Sequence, residues 1–403
     1  MITSSFPPIS GGASLRMWRF CKSLQNNLKI EVLTKSIQSL SDPLDLSILS
    51  KIERVKVHRA NIYPIGKIMA FMPWLKLFFP ADSFENLIPF IRNGRKILKK
   101  SNFDYILGVY PTFTSLFSSF ILSKFMRIPL IIDMHDLFYD SYKHTLHTIL
   151  QKKIYLKLER RVLYHASLIS VVTKEFKMIL NNLHGIKQEK FLIIPNNVDL
   201  DEFKSIKIVQ KEDFIISHVG FLADYHLEGV YLLIKAINKI KKEDMNSRIK
   251  FRLVGPLTQG LKEKLNKIDE FNIVEYYNFV KKNEANSLMI NSDALFLTLS
   301  PSHKFAIEMR STNPSKLFEY IGCGKPILAY LPRGSTQILI TENNLGFVLT
   351  KYQPGEMAKF IKELMNNESL RENFSKNALI LAKKFDSKLV YQTFLKRISL
   401  RKS

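Results

Sequence analysis

This sequence has few residues for covalent or metal scaffolding. Its 403 residues include two cysteines, Cys21 and Cys323. Both fall in segments that read as helical, so neither a disulfide framework nor a metal-finger spacing is available. Long apolar runs are missing too. No window reaches the roughly 18 uninterrupted apolar residues of a spanning helix, and the N-terminus lacks the basic start and apolar stretch of a signal peptide. The expectation is a soluble or surface-bound cytoplasmic protein. Acidic side chains are scarce, 36 against 60 Lys and Arg, giving a net charge of +24 spread along the chain. Such an excess attracts anions of any kind, whether nucleic acid, anionic lipid or nucleotide. Composition does not choose among them. No zinc finger, basic zipper or RNP-like aromatic string is present, so no specific nucleic-acid partner is expected.

The pattern present instead is alternation. The chain is long enough for two or three domains, and its 46 % hydrophobic content is ordinary for a globular protein. Apolar runs at 29–35, 54–60, 103–110, 129–136, 167–173 and 191–195 read as strands. Helical stretches separate several of them, including 112–126 and a long basic one at 142–165. Residues 196–212 are polar and aperiodic, a linker candidate. Strands resume at 213–220, 249–255, 271–276, 293–299, 326–330 and 346–350, with helices at 227–240, 354–366 and 368–384. Strand–helix alternation of this kind predicts doubly wound parallel sheets. Met1–Pro8 reads as the tail of a strand whose expected apolar residues are missing, so the first strand is either cut short or unusually brief.

Two stretches carry candidate chemistry. Gly11 and Gly12 precede a helix and allow close backbone approach to a ligand, although a plain turn fits equally well. The segment 311–330, STNPSKLFEYIGCGKPILAY, places a proline at the first helical position, Pro314, with Gly322 and Gly324 ending the helix. Ser315, Lys316 and Glu319 then lie on a turn at a helix N-terminus, where ligands of open α/β sheets bind. Ammonium and backbone N–H suit phosphate, and a carboxylate suits sugar hydroxyls. A merely solvated amphipathic helix is the alternative. Residues 61–80, NIYPIGKIMAFMPWLKLFFP, gather aromatic and methionine side chains around Lys67 and Lys76. That mixture suits an anionic lipid surface or simple packing on its own domain.

Seven pieces in order resemble the retaining GT-B glycosyltransferases of family 4. They are FPPISGGASLRM at the start, IIDMHD (131–136), ERRVLYHASLISVVTKEF (159–176), IIPNNVDLDEF (193–203), HVGFLADYHLEGVYLLIKA (218–236), FRLVGP (251–256) and PSKLFEYIGCGKPILA (314–329). The resemblance implies two Rossmann-like doubly wound domains facing a cleft, over residues 1–200 and 201–385. A C-terminal helix at 386–403 would cross back to the first domain. It implies transfer of a hexose from a nucleoside diphosphate sugar to a glycan or lipid-linked acceptor, with retention and without a required metal or other cofactor. Service in cell-surface polysaccharide, glycolipid or glycoprotein glycan synthesis follows, with an anionic membrane surface as a further partner. A binding protein or a sugar epimerase on the same scaffold is the alternative.

The resemblance also assigns residues. His135 would lie near the transferring sugar, and Gly12 against the donor diphosphate, with Gly11 and Arg16 on the acceptor side. Glu319 would accept the ribose hydroxyls, while Ser315 and the N–H groups near Leu317 meet phosphate. Besides the missing first strand, the chain departs from the family pattern at two further points. Ser311 stands where a first glutamate is common, eight positions before Glu319, leaving Thr312 and Asn313 to contact the sugar and Glu308 out of register. The loop after the first strand of the second domain, GFLADYHLEG, offers only His226 as a cation, so Lys316 or Arg310 would have to neutralise diphosphate.

Overall fold

The computed structural model describes residues 1–37, 44–61, 87–110, 112–137, 148–303 and 306–400. The aromatic segment from residue 62 onward, the start of the basic 142–165 helix and the Glu308 side chain lie outside the described residues. The chain divides into two compact units, residues 1–195 with 391–403, and residues 196–390.

All twelve expected strands form: β1 (Glu31–Lys35), β2 (Lys56–Ala60), β3 (Ile106–Tyr110), β4 (Leu130–Met134), β5 (Leu168–Val171), β6 (Phe191–Ile193), β7 (Phe214–Val219), β8 (Ile249–Val254), β9 (Val274–Tyr277), β10 (Ala294–Thr298), β11 (Ile327–Tyr330) and β12 (Gly346–Leu349). Every ladder among them is parallel. Helices that apolar spacing left unassigned appear at Leu87–Leu98, Gln259–Asn266, Lys282–Ile290 and Ser335–Glu342. The last two carry little one-sided apolar pattern, so tertiary packing rather than sequence periodicity holds them.

In the first unit, β1 pairs with β2 and the order β3-β4-β5-β6 runs beside them. Residues 1–3 join the two groups. Ile2 bridges both Leu33 and Gly108, its N–H bonding to Leu107 O at 2.8 Å while its carbonyl accepts from Val109 N–H at 3.0 Å. The incomplete strand seen in the sequence is therefore a short central segment. Counting it first, the order is 3-2-1-4-5-6-7, the doubly wound pattern. The same unit takes in Tyr391 and Phe394 from the C-terminal helix, Ser387–Ser399. Their rings stand edge-on to Phe20 at 5.2 and 5.1 Å.

The second unit holds one six-stranded sheet, β12-β11-β10-β7-β8-β9. Numbered along the chain this is 6-5-4-1-2-3, with the topological switch between β10 and β7. Both faces are apolar. Ala294 and Phe296 of β10 join one core cluster, with Leu233 and Ile237 of the helix Asp224–Glu243, while Leu295 and Leu297 join the other with Phe318 and Ile321. Double burial explains why these strands read as unbroken apolar runs. Residues 197–199 are buried and tied to this unit, Val198 N–H bonding to Phe385 O at 3.0 Å, so the polar stretch is not a free tether.

Candidate active site

The Gly-Gly loop of the first unit opens the helix Gly12–Leu24. Gly11 has φ 137°, a conformation that side-chain-bearing residues rarely adopt, and a Cβ there would meet nothing within 4 Å. The helix has neither a side-chain cap nor an acidic residue in its first turn. Its leading N–H groups, from Gly12 onward, therefore keep the positive end of the helix dipole unmasked.

Arg16, one turn on, faces inward. Its Nε and Nη2 donate to Asp133 Oδ2 and Oδ1 at 3.1 and 2.9 Å, and Nη1 and Nη2 reach the carbonyls of Pro195 and Ile194, each at 2.9 Å. The guanidinium is 3 % exposed and spends its donors inside the unit. The structure thus places Arg16 as the anchor of a buried carboxylate. Asp133, on β4, also accepts Ser170 Oγ at 2.7 Å and His135 Nε2 at 2.8 Å, so each oxygen takes two hydrogen bonds. Burial opposes ionisation of Asp133, but the Arg16 charge and the His135 ring hold its carboxyl well below the usual range. An ionised acceptor places the His135 proton on Nε2 and fixes the ring just past the end of β4, with Nδ1 as the remaining nitrogen. The sequence signal for this arrangement was an acidic residue inside an otherwise apolar strand. Ser170 gave none.

In the second unit the helix spans Ser315–Cys323 with Pro314 as its N-cap, one position earlier than expected. Gly324, at φ 62°, ends the helix. Gly322 does not: it lies inside, where a Cβ would stand 2.7 Å from Val198 Cγ2, so its role is close packing. The Leu317 N–H is already bonded to Pro314 O at 3.0 Å and its side chain is fully buried. The first two N–H groups, of Ser315 and Lys316, are those without an intrahelical acceptor.

Lys316 extends from this turn to the loop after β7. Its Nζ lies 2.8 Å from His218 Nε2 and 3.4 Å from Phe221 O. Burial lowers its pKa to about 7, against the opposing pull of Glu319. The expected loop cation, His226, is not one. Its Nδ1 accepts the Ala223 N–H at 2.9 Å, and burial followed by the Lys316 charge pushes its pKa down to about 3, so the ring is neutral. Glu319 Oε1 accepts the Lys282 ammonium at 2.7 Å, and Glu202 Oε2 stands 3.6 Å from the same Nζ. The three side chains are 15 %, 8 % and 3 % exposed. Neither Lys282 nor Glu202 stood out in the sequence, because each lies in a stretch rich in charge. Asn313 is fixed in the loop before the helix, its carbonyl accepting from Asn196 Nδ2 at 2.7 Å and its Oδ1 from Thr336 Oγ1 at 3.0 Å. Ser311 is buried, whereas Arg310 is exposed and its carbonyl accepts the Ser335 N–H at 2.8 Å.

Two family models match the chain, "Glycosyltransferase Family 4" over residues 10–202 and "Glycosyl transferases group 1" over residues 199–380. No curated protein matches the sequence. Among solved structures, HepE from Anabaena in complex with UDP-glucose is 18 % identical with a TM-score of 0.68, the match covering 99 % of this chain and 98 % of that one. Sucrose-phosphate synthase from Thermosynechococcus elongatus is 15 % identical with a TM-score of 0.74, covering 100 % and 98 %. A Listeria monocytogenes protein provisionally assigned as a UDP-N-acetylglucosamine 2-epimerase is 12 % identical with a TM-score of 0.60, covering 96 % and 92 %. At these identities the structural likenesses establish the fold, GT-B, and the family models carry the assignment. The chain belongs to the family 4, group 1, glycosyltransferases.

Proposed function

We propose that the protein moves a hexose from a nucleoside diphosphate sugar to a glycan or lipid-linked acceptor, with retention at the anomeric carbon. The observation that carries this reading is the Lys316–Glu319 turn. A helix N-terminus, an amine at the end of β7 and a carboxylate on one short helix match the phosphate and ribose of a nucleotide. Lys316 and the N–H groups of Ser315 and Lys316 receive the diphosphate, Glu319 the ribose hydroxyls. His135 hydrogen-bonds the transferring sugar. The bond between the anomeric carbon and the diphosphate oxygen breaks, and the acceptor oxygen attacks from the same face. Its proton passes to the departing phosphate oxygen, and the nucleoside diphosphate leaves. The developing charge is met by fixed cation and dipole, with no metal required of the reaction.

The acceptor reading draws on surface charge. Arg92, Arg95, Lys96 and Lys99 belong to the stretch that also carries Ile88, which is 67 % exposed. A basic face with an apolar residue supports attachment at the inner face of the cell membrane in cell-surface glycan synthesis. No helix among the described residues is long and apolar enough to cross a membrane. The test is a thermal-shift panel with UDP-, GDP-, ADP- and dTDP-sugars, followed by chromatography of the reaction with the sugar that binds. Release of nucleoside diphosphate with a retained glycosidic product is expected. Binding with neither transfer nor hydrolysis, or conversion of the sugar to its epimer, refutes the reading.

A further inference from the structure

The sheet of the second unit reverses its order between β7 and β10, and the contact between Lys316 and His218 sits at that point. His218 belongs to β7, and its ring is fixed by the hydrogen bond between Nδ1 and Phe296 O of β10, at 3.0 Å. With its proton on Nδ1, His218 offers Nε2 as an acceptor, and the Lys316 amine donates to it at 2.8 Å. The second acceptor is the Phe221 carbonyl. Both partners are uncharged. The carboxylate whose charge acts on it, Glu319, is engaged with Lys282. The loop backbone is shaped to admit the amine: Gly220 has φ 120°, and a Cβ there would lie 3.0 Å from Lys316 Cε. A lysine held this way at a switch point, beside two N–H groups without an intrahelical acceptor, is a cation site that no carboxylate among the described residues is seen to pair with directly.

We propose that His218 is a positioning residue that holds the Lys316 amine across the β7–β10 switch point to receive the diphosphate of the donor. The proposal rests on the nucleotide-sugar reading above and extends it. Among the described residues, the titratable groups facing the amine are His218 on β7, His226 on the following helix and Glu319 on its own helix. Both histidines are driven neutral, first by burial and then by the lysine's charge, so neither adds charge beside the amine, and the one carboxylate that acts on it, Glu319, is shared with Lys282. Arrival of a diphosphate then completes the protonation of Lys316. Binding is accompanied by proton uptake, which vanishes as the pH falls below the lowered value of the free amine.

Calorimetric titration of the whole protein with UDP-glucose, in buffers of different ionisation enthalpy, reads that uptake directly. The sugar nucleotide's diphosphate stays ionised throughout. Uptake of about 0.9 proton at pH 8 and about 0.1 at pH 6 is expected. Lys316→Met abolishes the uptake and weakens binding by about 30-fold. His218→Leu is tolerated because Phe296 O keeps its bond from the Tyr320 hydroxyl, at 3.3 Å. It releases the amine to water, cuts the pH 8 uptake to less than about 0.3 proton and weakens binding about 5-fold, whereas His218→Gln, which supplies an amide acceptor, retains both. Unchanged uptake in Lys316→Met or in a folded His218→Leu overturns the proposal while leaving the donor reading intact. Absence of any sugar-nucleotide binding by the native chain overturns both.

Discussion

Glu319 has two duties that one substitution would confuse. Its carboxylate neutralises Lys282 inside the second unit, and the proposed function gives it the ribose. Glu319→Gln removes the charge but keeps the shape, leaving the nearly buried Lys282 with the more distant Glu202 carboxylate, at 3.6 Å. Breaking a buried ion pair outright costs about 3–5 kcal/mol. With Glu202 retaining part of the compensation, a loss of about 2 kcal/mol is expected, equivalent to a fall in Tm of about 4–8 °C for a unit of this size. Loss of charged hydrogen bonds to ribose adds a separate effect, about 10–150-fold in nucleotide Kd. Neutralising the whole cluster separates them: Glu202→Gln, Lys282→Met and Glu319→Gln together remove the stranded charge, and Tm should return to within about 2 °C of the native protein. Affinity should stay lost. Thermal melts and titration with UDP, run on both variants, make the comparison. If affinity recovers along with Tm, Glu319 serves the fold and the ribose assignment fails.

Two other outcomes follow from the buried charges. Asp133→Asn strands Arg16, which is 3 % exposed, so urea denaturation of the first unit should show a loss of about 3–5 kcal/mol. The same change removes the ionised acceptor that orients His135, so the pH–rate profile of the surviving enzyme should shift, while Ser170→Ala leaves the profile in place. The second unit should weaken in acid. His226 titrates at about 3 in the folded chain, below its unfolded value, so the unfolded state binds more protons and stability falls as pH drops through about 6.5. Between pH 7.5 and 5 this amounts to about 2 kcal/mol, and His218, shifted in the same direction, adds to it. Urea midpoints at pH 7.5 and 5 measure the change, and a midpoint independent of pH contradicts the buried neutral state of both rings.

The fold was readable because doubly buried parallel strands must be apolar at nearly every position. The runs around Phe296, Leu328 and Ile132 announced themselves without any knowledge of their neighbours. Helices with a one-sided stripe, such as Pro354–Asn366 and Glu368–Lys384, were equally plain, whereas Lys282–Ile290 has a mixed pattern and exists through its packing. Gly322 shows the limit of local chemistry. A glycine two residues before another reads as a stop signal, yet its neighbour across space, Val198, makes it a packing residue.

By itself the sequence determined the two α/β halves, their strand inventory and the turn that bears Ser315, Lys316 and Glu319. These depend on local periodicity and on residue types a few positions apart, both of which survive without tertiary contacts. Only the tertiary structure decided what each charged group faces. Lys282 lies 37 positions from Glu319, His218 98 from Lys316, and Asp133 117 from Arg16. Ionisation and hydrogen bonding depend on distance and burial in space, and no spacing along the chain encodes either. The same holds for the opening residues, where what reads as the tail of a strand becomes the centre of a sheet because Leu33 and Gly108 stand on either side of Ile2.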